Sequence, residues 1–293
     1  MLWDAFDKGF IAGVMCNSDG HKGRPGAEGP GAGQFGIANG LTCVLAEAKT
    51  RKAIWEALKS RRCYGTTGAR IDLKFEVDGK PMGSVIETAA PDACLFAEVC
   101  GTGPIESLEV FEGKKVIHTV RPKAFSEVEK SRRLRVSWRG SRIRGRGRRV
   151  NWAGFISVEG AKIVSATSNF DTPVDRITST TDSRVDFISQ TTGDTDSIDL
   201  VLDRADRGTL IFESKAGKAR VDLSELTEKK KFPFGGLDIE LAIERYPEEL
   251  TETTARVEMT LNPAAGKTTP YFVKVTQVDG QMAWASPIYL MRG

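Results

Sequence analysis

An aspartate and a histidine two positions apart, Asp19 and His21, are the side chains of this sequence whose types and spacing best suit chemistry. They lie in the stretch Asn17-Ser18-Asp19-Gly20-His21. A carboxylate and an imidazole can hold one zinc, manganese or iron ion when both residues follow a strand. The short apolar run Val14-Met15-Cys16 predicts such a strand. A hydrolytic site normally needs about three protein ligands, and the other histidine is His118, so the pair alone is an incomplete site.

The segment that follows, from Lys22 to Gly40, is rich in glycine and has little with which to build a core. Lys22 and Arg24 would supply positive charge to a phosphoryl group, which makes a lid over a substrate phosphate one interpretation. The other is a solvent loop whose glycines only permit turns with positive φ. Residues 31–36 match G-x-G-x-x-G, but the match is weak because no strand–helix unit with a downstream acid surrounds it.

The composition allows a substantial buried core, and the overall charge indicates no particular partner. The 293 residues are 40% hydrophobic, enough for about two domains, and 42 basic against 39 acidic side chains give a net charge of +3. No apolar run reaches the roughly 18–20 residues that span a bilayer. Five cysteines without a Cys-x-x-Cys pair predict reduced thiols in a cytoplasmic protein; they are Cys16, Cys43, Cys63, Cys94 and Cys100.

The hydrophobic pattern of the sequence changes near residue 70. Before it the sequence indicates an α/β arrangement, in which Thr50 is a candidate N-cap for a helix over residues 51–62. Ile54, Trp55 and Leu58 would form the apolar stripe of that helix. The predicted first domain is residues 1–75.

From Ile71 onward, short alternating segments separated by turn residues predict an antiparallel β-sandwich. Asp78-Gly79 and Asp279-Gly280 are the turn signals expected between paired strands. The predicted second domain is residues 76–293.

Several segments resemble the end of a polymerase-and-histidinol-phosphatase (PHP) domain. In sequence letters they are NSDGHKGRPG at 17–26, GLTCVL at 40–45 and AIWEALKSRRCYGTTGARI at 53–71. An S-D-x-H motif followed by a W-E-A-L helix closes the domain in that superfamily. VDGQMAWASPIY at 278–289, the arginine-rich segment and NWAG at 151–154 are similar to a branch of uncharacterised PHP-like proteins with a β-rich C-terminal domain.

The resemblance implies both a fold and an activity. The fold would be an α/β remnant of a distorted (β/α)7-type PHP barrel over residues 1–75, followed by a mainly antiparallel β-sandwich. The activity would be metal-dependent hydrolysis of phosphate esters, with Asp19 and His21 as metal ligands and Lys22 and Arg24 near the substrate phosphate. The family's opening H-x-H motif and its intermediate ligands have no counterpart here. We therefore expect a truncated C-terminal portion that is not catalytically competent alone.

Partners follow from the same resemblance. Residues 1–75 would retain only one or two strands of a barrel, and the apolar faces of those strands need a cover. We expect a homo-oligomer or an N-terminal partner chain that completes the barrel, and a phosphate-ester substrate. The cofactor would be a divalent metal (zinc, manganese or iron) whose retention depends on the missing ligands.

An arginine-rich run between Lys130 and Arg149 favours another class of function. It contains nine arginines and no acidic residue, with Trp138 inside it and Trp152 just beyond. Arginines beside aromatic rings can neutralise phosphates and stack on bases. The alternative is therefore a non-catalytic β-sandwich module for binding or assembly, which binds nucleic acid through Arg132–Arg149. The competing explanation of the run is pairing with downstream carboxylates between Asp171 and Asp199.

Overall fold

The computed structural model describes residues 2–17, 40–141, 148–170, 172, 174–227 and 229–293. The chain divides into two compact units. The first consists of Met1–Pro122 together with Leu250–Gly293, and the second of Lys123–Glu249. Both units are built mainly from antiparallel strands, as the alternating sequence predicts.

The helices and strands are as follows. From the first residues to residue 120 they are α1 (Leu2–Asp7), β1 (Leu41–Val44), α2 (Arg51–Lys59), β2 (Cys63–Thr66), β3 (Asp72–Val77), β4 (Lys80–Pro81), β5 (Val85–Thr88), β6 (Ala93–Cys100), β7 (Ile105–Glu112) and β8 (Lys115–Val120). In the second unit they are β9 (Arg133–Arg139), β10 (Val150–Asn151), β11 (Gly154–Glu159), β12 (Ile163–Asn169), β13 (Arg176–Thr180), β14 (Arg184–Ile188), β15 (Gln190–Thr191), β16 (Thr195–Leu202), β17 (Thr209–Ser214), β18 (Lys218–Asp222), β19 (Lys230–Gly235) and β20 (Ile239–Tyr246), with 3-10 turns at Lys123–Lys130 and Leu223–Glu225. The first unit is completed by β21 (Thr254–Leu261), β22 (Lys267–Gln277), β23 (Met282–Ala285) and β24 (Ile288–Arg292).

Two sheets share one core in the first unit. The larger sheet has the strand order β1-β2-β23-β22-β24-β5, and β22 also pairs with β7, which pairs with β8. The smaller sheet has the order β21-β6-β3-β4. Leu73 and Phe75 of β3 lie in one buried cluster with Val273 and Val275 of β22. Because alternate side chains of a strand point to one face, the two inner faces form a sandwich.

The second unit is also built from two sheets that share one core. Their strand orders are β12-β16-β9-β20-β19 and β13-β14-β11-β17-β18, and β10 pairs with β15 beside them. Val136 and Trp138 of one sheet share a buried cluster with Phe187 and Phe212 of the other. The Trp138 and Phe187 rings are stacked with their centroids 4.6 Å apart.

These units differ from the expected division at residues 75 and 76. That boundary falls inside β3, which is a strand of the first unit. Within the described part of residues 1–75, β1 and β2 pair antiparallel, and β2 then joins β23 near the end of the chain. Local pattern could not indicate this arrangement, because β2 pairs with a strand more than two hundred residues away.

The helix α2 begins where the sequence predicts and ends earlier. Thr50 is the N-cap, and its hydroxyl accepts a hydrogen bond of 3.2 Å from the Ala53 amide. The helix ends at Lys59 because Arg61 takes a positive φ of 58°, which stops a right-handed helix. The predicted stripe is wrong in part, since Ala57 is buried while Ile54 and Trp55 are exposed.

Both predicted turns are confirmed. Asp78 and Gly79 have φ of 49° and 69° and join β3 to β4, as in a two-residue hairpin. Gly280 has φ of 82° in the turn from β22 to β23. Leu237 and Asp238 have positive φ and form a turn before β20.

Two observations bear on the environment of the protein. No helix in the described ranges is long and apolar enough to cross a bilayer. All five cysteines are free thiols. The cytoplasmic location stays a prediction.

We predict that thiol reactivity follows burial. Cys63 is 1% exposed and burial raises the pKa of its thiol, whereas Cys94 and Cys100 are exposed on β6. Ellman's reagent should therefore modify Cys94 and Cys100 quickly and Cys63 only after denaturation, as mapped by mass spectrometry. Rapid modification of Cys63 in the folded protein would contradict the placement of β2.

Candidate functional site

The four predicted site residues, Asp19, His21, Lys22 and Arg24, lie outside the described residues. The described chain stops at Asn17 and resumes at Gly40. A Cβ added to Gly40 would lie 3.0 Å from the Asn17 carbonyl oxygen, so these two backbones are in contact. The described residues nearest to the predicted metal pair in sequence are therefore Asn17 and the segment before it.

Residues 12–16 are held by side chains instead of a neighbouring strand. The Tyr289 hydroxyl accepts a hydrogen bond of 2.7 Å from the Ala12 amide and donates one of 2.9 Å to the Ala12 carbonyl. The Thr42 hydroxyl makes the same two bonds to Cys16. It accepts from the Cys16 amide at 3.0 Å and donates to the Cys16 carbonyl at 2.6 Å. Each hydroxyl thus makes the two bonds that a paired backbone residue would make.

Val14, midway between these residues, completes the pattern. Its amide donates to the Ser286 hydroxyl at 2.9 Å, and its carbonyl accepts from the Cys63 thiol at 3.4 Å. Bonds at every second residue are the pattern of one edge of an extended chain. We call these contacts the hydroxyl ladder, formed by Thr42, Ser286 and Tyr289. The predicted strand Val14–Cys16 is therefore wrong as a strand, because side chains supply its hydrogen bonds.

Close packing accompanies the hydroxyl ladder. Gly65 of β2 lies against Cys16, and any side chain at that glycine would overlap the Cys16 Sγ. A Cβ at Gly13 would lie 3.0 Å from the Cβ of Arg61. Burial raises the pKa of the Cys16 thiol, which favours the neutral form over the thiolate that binds metals.

The helix α1 anchors the start of this segment to the large sheet. Phe6 packs on Phe272 of β22 and Tyr289 of β24, with ring centroids 6.0 and 6.4 Å apart. Phe272 in turn stacks on Phe111 of β7 at 4.6 Å. The C-terminal strands therefore contact the N-terminal segment through both rings and hydroxyls.

The described residues contain no group of three or more His, Cys, Asp or Glu side chains placed to hold a metal ion. A carboxylate and an imidazole are suitable ligands for zinc, manganese or iron. A complete hydrolytic centre around Asp19 and His21 would need further ligands from elsewhere.

Sequence reasoning missed the hydroxyl ladder. Ser286 and Tyr289 belong to the motif at 278–289, yet nothing local indicates their role. Their partners lie 272 and 277 positions away in the chain. Only a comparison across the whole sequence could have suggested this pairing.

The arginine-rich run is described only in part, because Arg142, Arg144 and Arg146 lie outside the described residues. Of the six described arginines, four are paired with carboxylates of the second unit. The pairs are Arg132 with Glu248 at 3.0 Å, Arg133 and Arg135 with Asp199 at 2.6 and 2.7 Å, and Arg139 with Glu240 at 2.9 Å. The pairs with Asp199 match the competing explanation of the run, whereas Glu240 and Glu248 lie outside the stretch between Asp171 and Asp199 that it named.

The two tryptophans in and just beyond the arginine-rich run are buried. Trp138 and Trp152 are 1% and 0% exposed. Their indole N–H groups donate to the Ser189 and Thr191 hydroxyls at 2.8 and 2.7 Å. Rings buried in this way cannot stack on bases, so neither tryptophan supports nucleic-acid binding.

Similarity to known proteins is confined to part of the chain. A family model described as "Protein of unknown function (DUF3604)" matches residues 12–89. An uncharacterized protein of Chlamydia trachomatis serovar D is 36% identical over 88 residues, which are 28% of this chain and 14% of that protein. An uncharacterized protein of Chlamydia pneumoniae is 35% identical over 94 residues, 30% of this chain and 15% of that protein. The chain thus spans about a seventh of the length of these curated relatives. No solved structure matches.

The hydroxyl ladder generates a prediction about local stability. Tyr289→Phe removes both bonds to Ala12, at a cost of about 1 kcal/mol or roughly fivefold faster local opening. Hydrogen exchange followed by mass spectrometry should show faster exchange in residues 10–17. Tyr271→Phe is the matched control, because it removes a hydroxyl that donates to Glu112 at 2.7 Å and does not touch the segment. Equal exchange in both variants would contradict the ladder.

The paired arginines generate a prediction about global stability. Asp199→Ala removes the partner of Arg133 and of the buried Arg135, and an uncompensated buried charge costs about 3–5 kcal/mol. Urea denaturation should show a decrease of that size in the free energy of unfolding. Glu248→Ala, which breaks the exposed pair with Arg132, should cost far less. Similar losses for both variants would count against a buried charge cluster.

Proposed function

We propose that this chain is the C-terminal portion of a PHP-like metal-dependent phosphoesterase. In this proposal residues 1–75 derive from a PHP-type barrel, Asp19 and His21 hold a divalent ion, and Lys22 and Arg24 bind the substrate phosphate. The chain is not catalytically competent alone, because its ligand set needs residues from a partner chain or from a missing segment.

The observation that carries the proposal is the position of the exposed apolar side chains. Seven of the twelve large hydrophobic residues that are exposed in the described ranges fall between residues 3 and 55. They are Trp3, Phe10, Ile11, Met15, Leu45, Ile54 and Trp55. Phe10 and Met15 are each 60% exposed and Trp55 is 59% exposed. The exposed apolar side chains are thus concentrated in this part of the chain, where a cover would bury them.

The same part of the chain carries the resemblance and the family match. The PHP-like segments lie between residues 17 and 71, and the family model covers residues 12–89. A portion of a barrel separated from its remaining strands would leave this kind of apolar surface uncovered. The surface therefore supports both the barrel origin and the need for a partner.

The hydroxyl ladder supports the assignment of Asp19 and His21. It fixes residues 12–16, and Asn17 at their end lies one residue before Ser18 of the S-D-x-H motif. A metal bound by such a pair activates a water molecule and neutralises the leaving oxygens of a phosphate ester. This chain would contribute two metal ligands, Asp19 and His21, and two cationic side chains, Lys22 and Arg24, that bind the phosphate.

Nucleic-acid binding is not proposed as a second function. The described arginines Arg132, Arg133, Arg135 and Arg139 are paired with carboxylates, and Arg148 and Arg149 are the remaining described arginines of the run. Because these four arginines and both tryptophans are already engaged, the described part of the run gives little support for contacts to phosphates or bases.

The proposal predicts a metal that depends on the two ligands. After equilibration with zinc or manganese and desalting, elemental mass spectrometry should find a measurable amount of metal, up to about one ion per wild-type chain. The amount is expected to be below one because a site with few protein ligands binds metal weakly. Asp19→Ala with His21→Ala should abolish this binding. His118→Ala is the matched control, because it removes the other histidine, on β8, and should leave the metal content unchanged.

Two results would contradict the proposed metal site. One is equal metal content in the wild type and the double variant, which would place the ion elsewhere. The other is the absence of metal from the wild type under all loading conditions. Phosphatase assays with a chromogenic phosphomonoester should show no activity of the chain alone, and turnover by the isolated chain would contradict its dependence on a partner.

A further inference from the structure

Three residues of the first unit hold Cys16 from different directions. The Thr42 hydroxyl bonds to both the amide and the carbonyl of Cys16. Thr42 of β1 lies directly opposite Gly65 of β2, and Gly65 packs against the Cys16 side chain. Gly40, just before β1, lies against Cys16 as well. We call Gly40, Thr42 and Gly65 the Cys16 socket.

Gly65 is required in the Cys16 socket by space and not by backbone conformation. Its φ is not positive, so alanine could adopt the same backbone. A Cβ at this position would overlap the Cys16 Sγ and lie 2.9 Å from the Cys16 Cβ. Carbon atoms in ordinary contact are about 3.5–4.0 Å apart. The socket therefore accepts Cys16 only because Gly65 has no side chain.

The Cys16 socket also lies at both ends of the segment that carries the predicted site. The described chain stops at Asn17 and resumes at Gly40. A Cβ at Gly40 would lie 3.0 Å from the Asn17 carbonyl oxygen and 3.2 Å from the Cys16 Cβ. Asp19 and His21, which are outside the described residues, follow Cys16 by three and five positions. Only a short stretch of backbone therefore connects the predicted ligands to the socket.

We propose that the Cys16 socket positions the Asp19–His21 pair for metal binding, with Thr42 as the positioning residue. Ordering a flexible backbone has an entropic cost, which a bound ion must offset unless the protein has already ordered that backbone. The hydrogen bonds from Thr42 and the contact with Gly65 fix the backbone directly before the ligands. A site with few protein ligands depends strongly on such preorganisation, because each ligand that is out of place weakens it further.

This inference rests on the proposed metal site and adds the residues that orient it. The coupling between two sites is reciprocal, so a bound ion must also favour the state in which Cys16 occupies the socket. The Cys16 thiol is partly buried, and its rate of alkylation therefore reports how often the socket opens. Metal affinity and thiol alkylation are thus two independent readouts of the same coupling.

The first test removes the Thr42 hydroxyl and keeps the shape of the side chain. Thr42→Val should weaken Mn²⁺ binding by roughly fivefold or more, because both bonds to Cys16 are lost. The EPR signal of free Mn²⁺ gives the affinity, and circular dichroism checks the fold. Thr42→Ser keeps the hydroxyl and should bind Mn²⁺ like the wild type. Thr66→Val is the matched control on β2, because the hydroxyl that it removes accepts from the Gly68 amide at 3.2 Å.

The second test fills the Cys16 socket and removes no hydrogen-bonding group. The methyl group of Gly65→Ala should displace Cys16 and weaken Mn²⁺ binding in the same direction as Thr42→Val. Iodoacetamide should alkylate Cys16 faster in both variants, as mapped by mass spectrometry. Mn²⁺ should slow this alkylation in the wild type and have no effect in the variant with Asp19→Ala and His21→Ala.

The outcomes separate this inference from the proposed function. Faster alkylation of Cys16 in Thr42→Val with an unchanged affinity for Mn²⁺ would overturn the inference and leave the proposed metal site in place. A loss of affinity in Thr42→Ser or Thr66→Val as large as that in Thr42→Val would also overturn it. A wild type that binds no Mn²⁺ would instead remove the proposed metal site, and the inference with it.

Discussion

The position of residues 12–16 in the first unit depends on their hydrogen bonds to the hydroxyl ladder. A backbone segment on the surface of a sheet needs partners for its N–H and C=O groups, and a neighbouring strand is the usual source. Here Thr42, Ser286 and Tyr289 supply them from three separate strands or strand ends. Because these side chains come from both ends of the sequence, the N-terminal segment depends on β1 and on the C-terminal strands for its hydrogen bonds.

The second unit shows how a strongly basic segment can be structural. The arginines of β9 alternate with apolar residues, so Leu134, Val136 and Trp138 enter the core while Arg133 and Arg135 lie on the other face. Asp199 of the adjacent β16 accepts from both arginines, and the Arg135 guanidinium lies 3.9 Å from the centre of the Tyr246 ring. Opposite charges on neighbouring strands and a ring above them offset the cost of burying these cations.

The exposed apolar residues between Trp3 and Trp55 lie in the same part of the chain as the PHP-like segments. On the helix α2 two large apolar side chains, Ile54 and Trp55, are 37% and 59% exposed. The helix α2 has one buried residue, Ala57, and so draws little stability from its own unit. The first unit therefore leaves exposed apolar side chains that its own core does not cover.

The sequence by itself determined the strand content, the N-cap at Thr50 and the turns at Asp78-Gly79 and Asp279-Gly280, because these depend on alternation and on φ preferences within a few residues. It also showed the Asp19–His21 pair as the best candidate ligands. Only the tertiary structure decided that β2 pairs with β23, that residues 12–16 bind hydroxyls instead of a strand, and that the arginines of β9 are paired. Each of those outcomes depends on contacts between residues far apart in the chain, and local pattern carries no information about which distant groups will meet.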